Sequence, residues 1–183
     1  DVEGSDGTLV ADTWSGDITV DSATGTVDLD TGSGEIRVAT LEADGGADTG
    51  SGNIVITSAD CSSFDADTGS GSIAILGGTV GDLVADTGSG NIEFTGEFDT
   101  LDLDTGSGDI SIRTSMSDAS KILADTGSGN VTIIAGRHAS FDLDMDTGSG
   151  TTTVAFDDAK LRYDDDEIVG ARRGDGRTDI EVD

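Results

Sequence analysis

The sequence predicts an all-β fold, a single-stranded parallel β-helix (β-solenoid) of about nine coils with 18–21 residues each. Three observations carry this. The string "DTGSG" recurs in phase, opening at Asp12 (as "DTWSG"), Asp30, Asp48, Asp67, Asp86, Asp104, Asp125 and Asp146, with steps of 18, 18, 19, 19, 18, 21 and 21. Apolar and polar residues alternate with period two on both sides of it, the period of a strand. Proline is absent and glycine numbers 28, so the corners fall to Gly, Asn, Asp and Ser.

Each coil begins on a short strand. Three positions before the Asp stand Leu9, Val27, Gly45, Phe64, Leu83, Leu101, Ile122 and Leu143; one before stand Ala11, Leu29, Ala47, Ala66, Ala85, Leu103, Ala124 and Met145. The turn follows, with Thr directly after every Asp, Ser three after and Gly four after. Fifteen of the 28 glycines sit in these turns, where they are expected to supply the positive φ of a tight corner. The Asp carboxylates form a structural turn column, each expected to accept hydrogen bonds from N–H groups of its own Thr-Gly-Ser. Parity puts Thr on the apolar side, so it is expected inside or at a corner.

A second strand closes the coil. Six after the Asp stand Ile18, Ile36, Ile54, Ile73, Ile92, Ile110, Val131 and Thr152; eight after stand Val20, Val38, Ile56, Ile75, Phe94, Ile112, Ile133 and Val154. One coil cannot bury its own apolar face, but parallel coils about 4.8 Å apart bury each other's. "GDGRTDIEV" reads as a last coil, with Ile180 and Val182 as its second strand. Residues 157–173 break the period and read as an acidic and basic insertion in one domain spanning 1–183.

Composition bounds the function. Apolar residues are 34% and aromatics 4%, which suits a thin aliphatic core. With 38 acids against 9 bases the formal charge is −29, the sign of phosphate, so nucleic acid and anionic membranes are not expected partners. No apolar run reaches the roughly 18 residues of a membrane-spanning helix. A single cysteine, Cys61, allows no internal disulfide. The first residue is Asp1, without an initiator Met, which reads as a mature or trimmed product.

The units "ADTGSGNIxI" and "LDTGSGDISI" resemble the adhesin-type β-strand-repeat family of prokaryotic surface proteins. That domain has no known function, and its relatives include auto-transporter adhesins with a GIN-type head. The likeness runs from about Gly7 to Val182, with departures at Trp14 and Thr152. It implies a right-handed β-helix exposed outside the cell or on its envelope, and it implies no catalytic residues.

The first letters of the motif also spell an aspartic-protease signature. That chemistry needs two facing carboxylates that share a proton. Aspartates in a single column, each with the same neighbours, do not provide it. The Ser column has one His, His138, to serve as a base, and it falls in a connecting segment. Stacked aspartates repel by roughly 1 kcal/mol per neighbour in water, which calcium would relieve. The period-nine calcium pattern of solenoids is missing, however, so no metal site or cofactor is assigned, and Ca2+ stays the alternative. Asp164–Glu167 beside Asp157 and Asp158 reads as a solvated acidic loop, and Arg173-Gly174-Asp175 as a chance tripeptide.

The expected function is therefore non-enzymatic: an extracellular or cell-surface structural or adhesion protein, built as a stiff acidic rod. With no helical cap at either end, its coils are expected to stack end to end into homo-oligomeric filaments. A surface glycan or protein is the expected ligand class. The alternatives are a calcium-dependent surface binding module and a polysaccharide-acting β-helix enzyme. The enzyme needs aromatic platforms, and one Trp, one Tyr and five Phe supply few.

Overall fold

The alternation on either side of each turn becomes two columns of parallel strands. A computed structural model describes residues 1–115, 121–136, 141–145, 149–155, 160–164, 167–173 and 179–182. Among them the chain is all strand and turn, stacked as a β-solenoid of about seven turns. The first coils are β1 (Ser5–Thr13), β2 (Ile18–Thr31), β3 (Ile36–Thr49) and β4 (Ile54–Thr68), where β2 to β4 each run unbroken from one turn to the next. Later coils divide in two: β5 (Ile73–Ile75) with β6 (Gly78–Thr87), β7 (Ile92–Thr95) with β8 (Glu97–Thr105), β9 (Ile110–Thr114) with β10 (Lys121–Thr126), and β11 (Val131–Ala135) with β12 (Phe141–Met145).

Register follows the motif. Asp30 pairs with Asp12 and Asp48, and the column continues through Asp67, Asp86, Asp104 and Asp125. The second-strand column aligns Ile36, Ile54, Ile73, Ile92, Ile110 and Val131 in the same way. All of these apolar residues, with Val38, Ile56, Ile75, Phe94, Ile112 and Ile133, are buried in one aliphatic core. Each such side chain contributes about 1.5–3 kcal/mol on leaving water. Two coils adjust the pattern. Gly45 leaves a gap in its apolar column, and the coil above sets the buried Phe64 against it. Where the step lengthens to 19, the Asp44 carboxylate accepts from the N–H groups of Ser62 (2.7 Å) and Ser63 (3.0 Å) and so holds the extra residue.

The carboxy-terminal part corrects the expected nine coils. β13 (Thr152–Ala155) still stacks on β11. However, β14 (Lys160–Asp164) and β15 (Glu167–Arg173) form an antiparallel pair, and β15 runs antiparallel along β12. The two described strands of the period-breaking segment, β14 and β15, thus follow β12 at the end of the strand column. β16 (Asp179–Val182) does not close a ninth coil. It lies between β10 and β12, with Ile180 aligned to Ile122 and Leu143. Ile180 and Val182 are two residues apart, a spacing shared by both strands of a coil, so periodicity could not tell which strand they continue.

Candidate functional site

The repeated turn is the feature that the sequence singles out, and the structure assigns its parts differently from expectation. The Thr side chains point inward, and Thr31, Thr49, Thr68, Thr87, Thr105 and Thr126 are all buried. Each hydroxyl makes the same two bonds. Thr87 Oγ1 donates to the carbonyl of Gly71 in the coil below (2.8 Å) and accepts from the N–H of Gly90 in its own turn (3.1 Å). The other five repeat this pair of bonds. The turn is therefore pinned by Thr, not by the preceding Asp as expected. Parity explains the difference: Asp and Thr are neighbours on a strand, so one faces solvent and the other faces the core.

The glycines also have another cause. Among the described residues, positive φ occurs at Gly7, Gly25, Gly45, Gly78 and Gly96, none of them in the repeated turn. What demands Gly there is clearance between coils. A Cβ on Gly52, Gly71, Gly90, Gly108 or Gly129 would lie 1.7 Å from the carbonyl oxygen of the equivalent glycine below.

A second ladder was missed at the sequence level. The residue after each turn accepts, through its side chain, the N–H of its counterpart in the next coil. Asn53 Oδ1 accepts from Ser72, Ser72 Oγ from Asn91, Asn91 Oδ1 from Asp109, Asp109 Oδ1 from Asn130 and Asn130 Oδ1 from Thr151, at 2.8–3.2 Å. Asp17 serves Glu35 likewise, but Glu35 turns its longer side chain to Arg37 instead. The available signal was a short acid, amide or hydroxyl at one offset in nearly every coil.

The Asp column stands outside. Asp12, Asp30, Asp48, Asp67, Asp86 and Asp104 are exposed and Asp125 is half-buried; Asp146 lies outside the described residues, as does His138. On the same face, two positions earlier, lie Asp28, Asp65 and Asp102, and two earlier again Asp44 and Asp82. Partial burial, then the facing carboxylates, push the Asp48, Asp86 and Asp104 carboxyls up. The neighbours are Asp67, Asp30 and Asp65 for Asp48, Asp67 and Asp102 for Asp86, and Asp125, Asp86 and Asp102 for Asp104. Among the described residues, no three His, Cys, Asp or Glu side chains converge as a metal site would require.

A carboxyl raised by folding binds its proton more tightly in the folded chain. Its contribution to stability is full below the unfolded pKa and is lost as pH rises through the folded one. At low salt the melting temperature should therefore be higher near about pH 4, in the ordinary carboxylate range, than near pH 7. Sodium chloride should narrow that gap, since about 1 M salt cuts the screening length to roughly 3 Å. Thermal melts across both variables check this, and a melting temperature that falls on acidification from pH 7 to about pH 4 contradicts it. Calcium and sodium should act alike at equal ionic strength; a larger calcium effect would mean bridging of the column.

Cys61 is half-buried, and burial followed by Asp44 and Asp60 pushes its thiol up to about 11. Little thiolate exists at neutral pH, so it is a poor nucleophile. A shallow groove lies where later coils turn, lined by residues that include Glu97, Arg113, Ser115 and Ile134.

No curated protein and no solved structure was found to match the chain. A family of unknown function does match, over residues 3–183 and thus nearly the whole solenoid with its carboxy-terminal strands: the chain belongs to the Toastrack DUF4097 family.

Proposed function

We propose that the chain is a non-enzymatic structural or adhesive module of the cell surface, a short stiff rod that presents an acidic strand face. The observation that carries this is the buried Thr clamp, repeated without a break over six coils. Each clamp ties a turn to the coil below, and a sheared joint would strand a buried donor and acceptor. Such a column resists bending and sliding, the property a spacer or display scaffold uses. About seven coils at the strand spacing give a rod of about 35 Å. The likeness of its turn-strand units to adhesin repeats supports the surface placement.

An antibody against the purified chain should stain intact cells of the source organism. Beads coated with the chain should be retained on those cells above albumin-coated beads. Staining only after permeabilisation would sink the surface placement. Surface staining with bead retention no better than albumin would sink adhesion and leave the spacer role.

A further inference from the structure

The second position after each Asp is Gly in every described coil but the first, where it is Trp14. Consecutive coils approach closely at this point. A Cβ on Gly32, Gly50, Gly69, Gly88, Gly106 or Gly127 would lie 2.5–2.8 Å from a backbone carbonyl oxygen of the residue below. For Gly32 that oxygen belongs to Trp14 itself, at 2.5 Å. The obstacle is backbone on both sides, so no rotamer change removes it. A side chain at this position is compatible only with a turn that has nothing stacked beneath it. Trp14 is such a side chain, and it stands 90% exposed.

We propose that Trp14 is a stop residue, which closes the amino-terminal turn to any further coil stacked in register. The stop acts alike on a coil from upstream chain and on one from a second copy. Elsewhere the amino-terminal edge invites growth. Among the described residues β1 pairs only with β2, and Val2 already takes the place of a second-strand residue by bridging to Val20. Leu9 and Ala11 are only partly buried there, while their counterparts Val27 and Leu29 in the next coil are buried. A strand can pair along β1 but must leave the ladder at Trp14. Every head-to-tail joint between rods would use this turn as one of its two faces. The stop therefore blocks the in-register filament that open ends otherwise favour, and it keeps the rod finite.

The test builds the forbidden coil. A copy of Leu83–Ile92 fused directly before Asp1 puts a "DTGSG" turn in register beneath Asp12, Thr13 and Trp14. The fusion is made in the parent chain and in the Trp14→Gly variant, and amide hydrogen exchange is read on the added turn. In the Trp14→Gly fusion the added turn should order, its amides slowing at least about a hundredfold over an unstructured segment. In the fusion that keeps Trp14 they should exchange as an unstructured segment does. Equal protection in both chains overturns the proposal. So does absence of protection in both, because Trp14 is then not what closes the end. The unextended Trp14→Gly chain should melt as the parent does, which separates loss of the stop from loss of the fold.

Discussion

Gly71→Ala should destabilise the solenoid by about 3 kcal/mol or more, at the upper end of what overpacking costs. The new Cβ would sit 1.7 Å from the Gly52 carbonyl oxygen and 2.4 Å from its carbon. Both belong to the backbone of the coil below, so relief requires the coils to part and their ladder bonds to lengthen. The control is the same motif position in the first coil. At Gly16 a Cβ meets no carbonyl of another coil, only the side chain of Thr13, nearest at 3.2 Å. Gly16→Ala should therefore cost about 1 kcal/mol or less. If the turn itself required glycine, the two substitutions would be equally harmful. Denaturant melts of both variants decide between a stacking cause and a turn cause.

Thr87→Val should cost about 2–4 kcal/mol, although it preserves shape. Valine replaces the hydroxyl with a methyl and leaves the Gly90 N–H and the Gly71 carbonyl without this partner. A buried polar group stranded in this way costs about 1–3 kcal/mol. Thr87→Ser keeps the hydroxyl and loses one methyl, so it should cost only about 1 kcal/mol. Asp86→Asn should be neutral or stabilising, since Asp86 is exposed and pushed up by burial and by Asp67 and Asp102. Equal melting of the Val and Ser variants would remove the clamp from its central place.

Most of the scaffold could be read from the residue pattern because stacking is a repetition in space of a repetition in sequence. Ile36, Ile54 and Ile73 keep one offset from the turn, and the structure pairs them at that offset. The candidate site was only half legible. That Thr faces inward followed from parity with Ala85 and Leu83. That its hydroxyl, and not the Asp carboxylate, closes the turn did not, because its acceptor is a glycine carbonyl 15–18 residues earlier. The ladder of Asn53, Asn91 and Asn130 hid for the same reason: each bond joins residues 18–21 apart. The local string offers only mixed short polar residues.

By itself, then, the amino-acid sequence determined the strand period, the aliphatic core, the parallel register and the outward acidic column. These depend on side-chain parity and on constant offsets, which a linear chain records. Tertiary structure alone decided which oxygen pins each turn, why the turns need glycine, and where the final strand lies. Those answers depend on how closely one coil approaches the next. A carbonyl 1.7 Å from an imagined Cβ, or Ile180 aligned between Ile122 and Leu143, exists only once the coils are stacked.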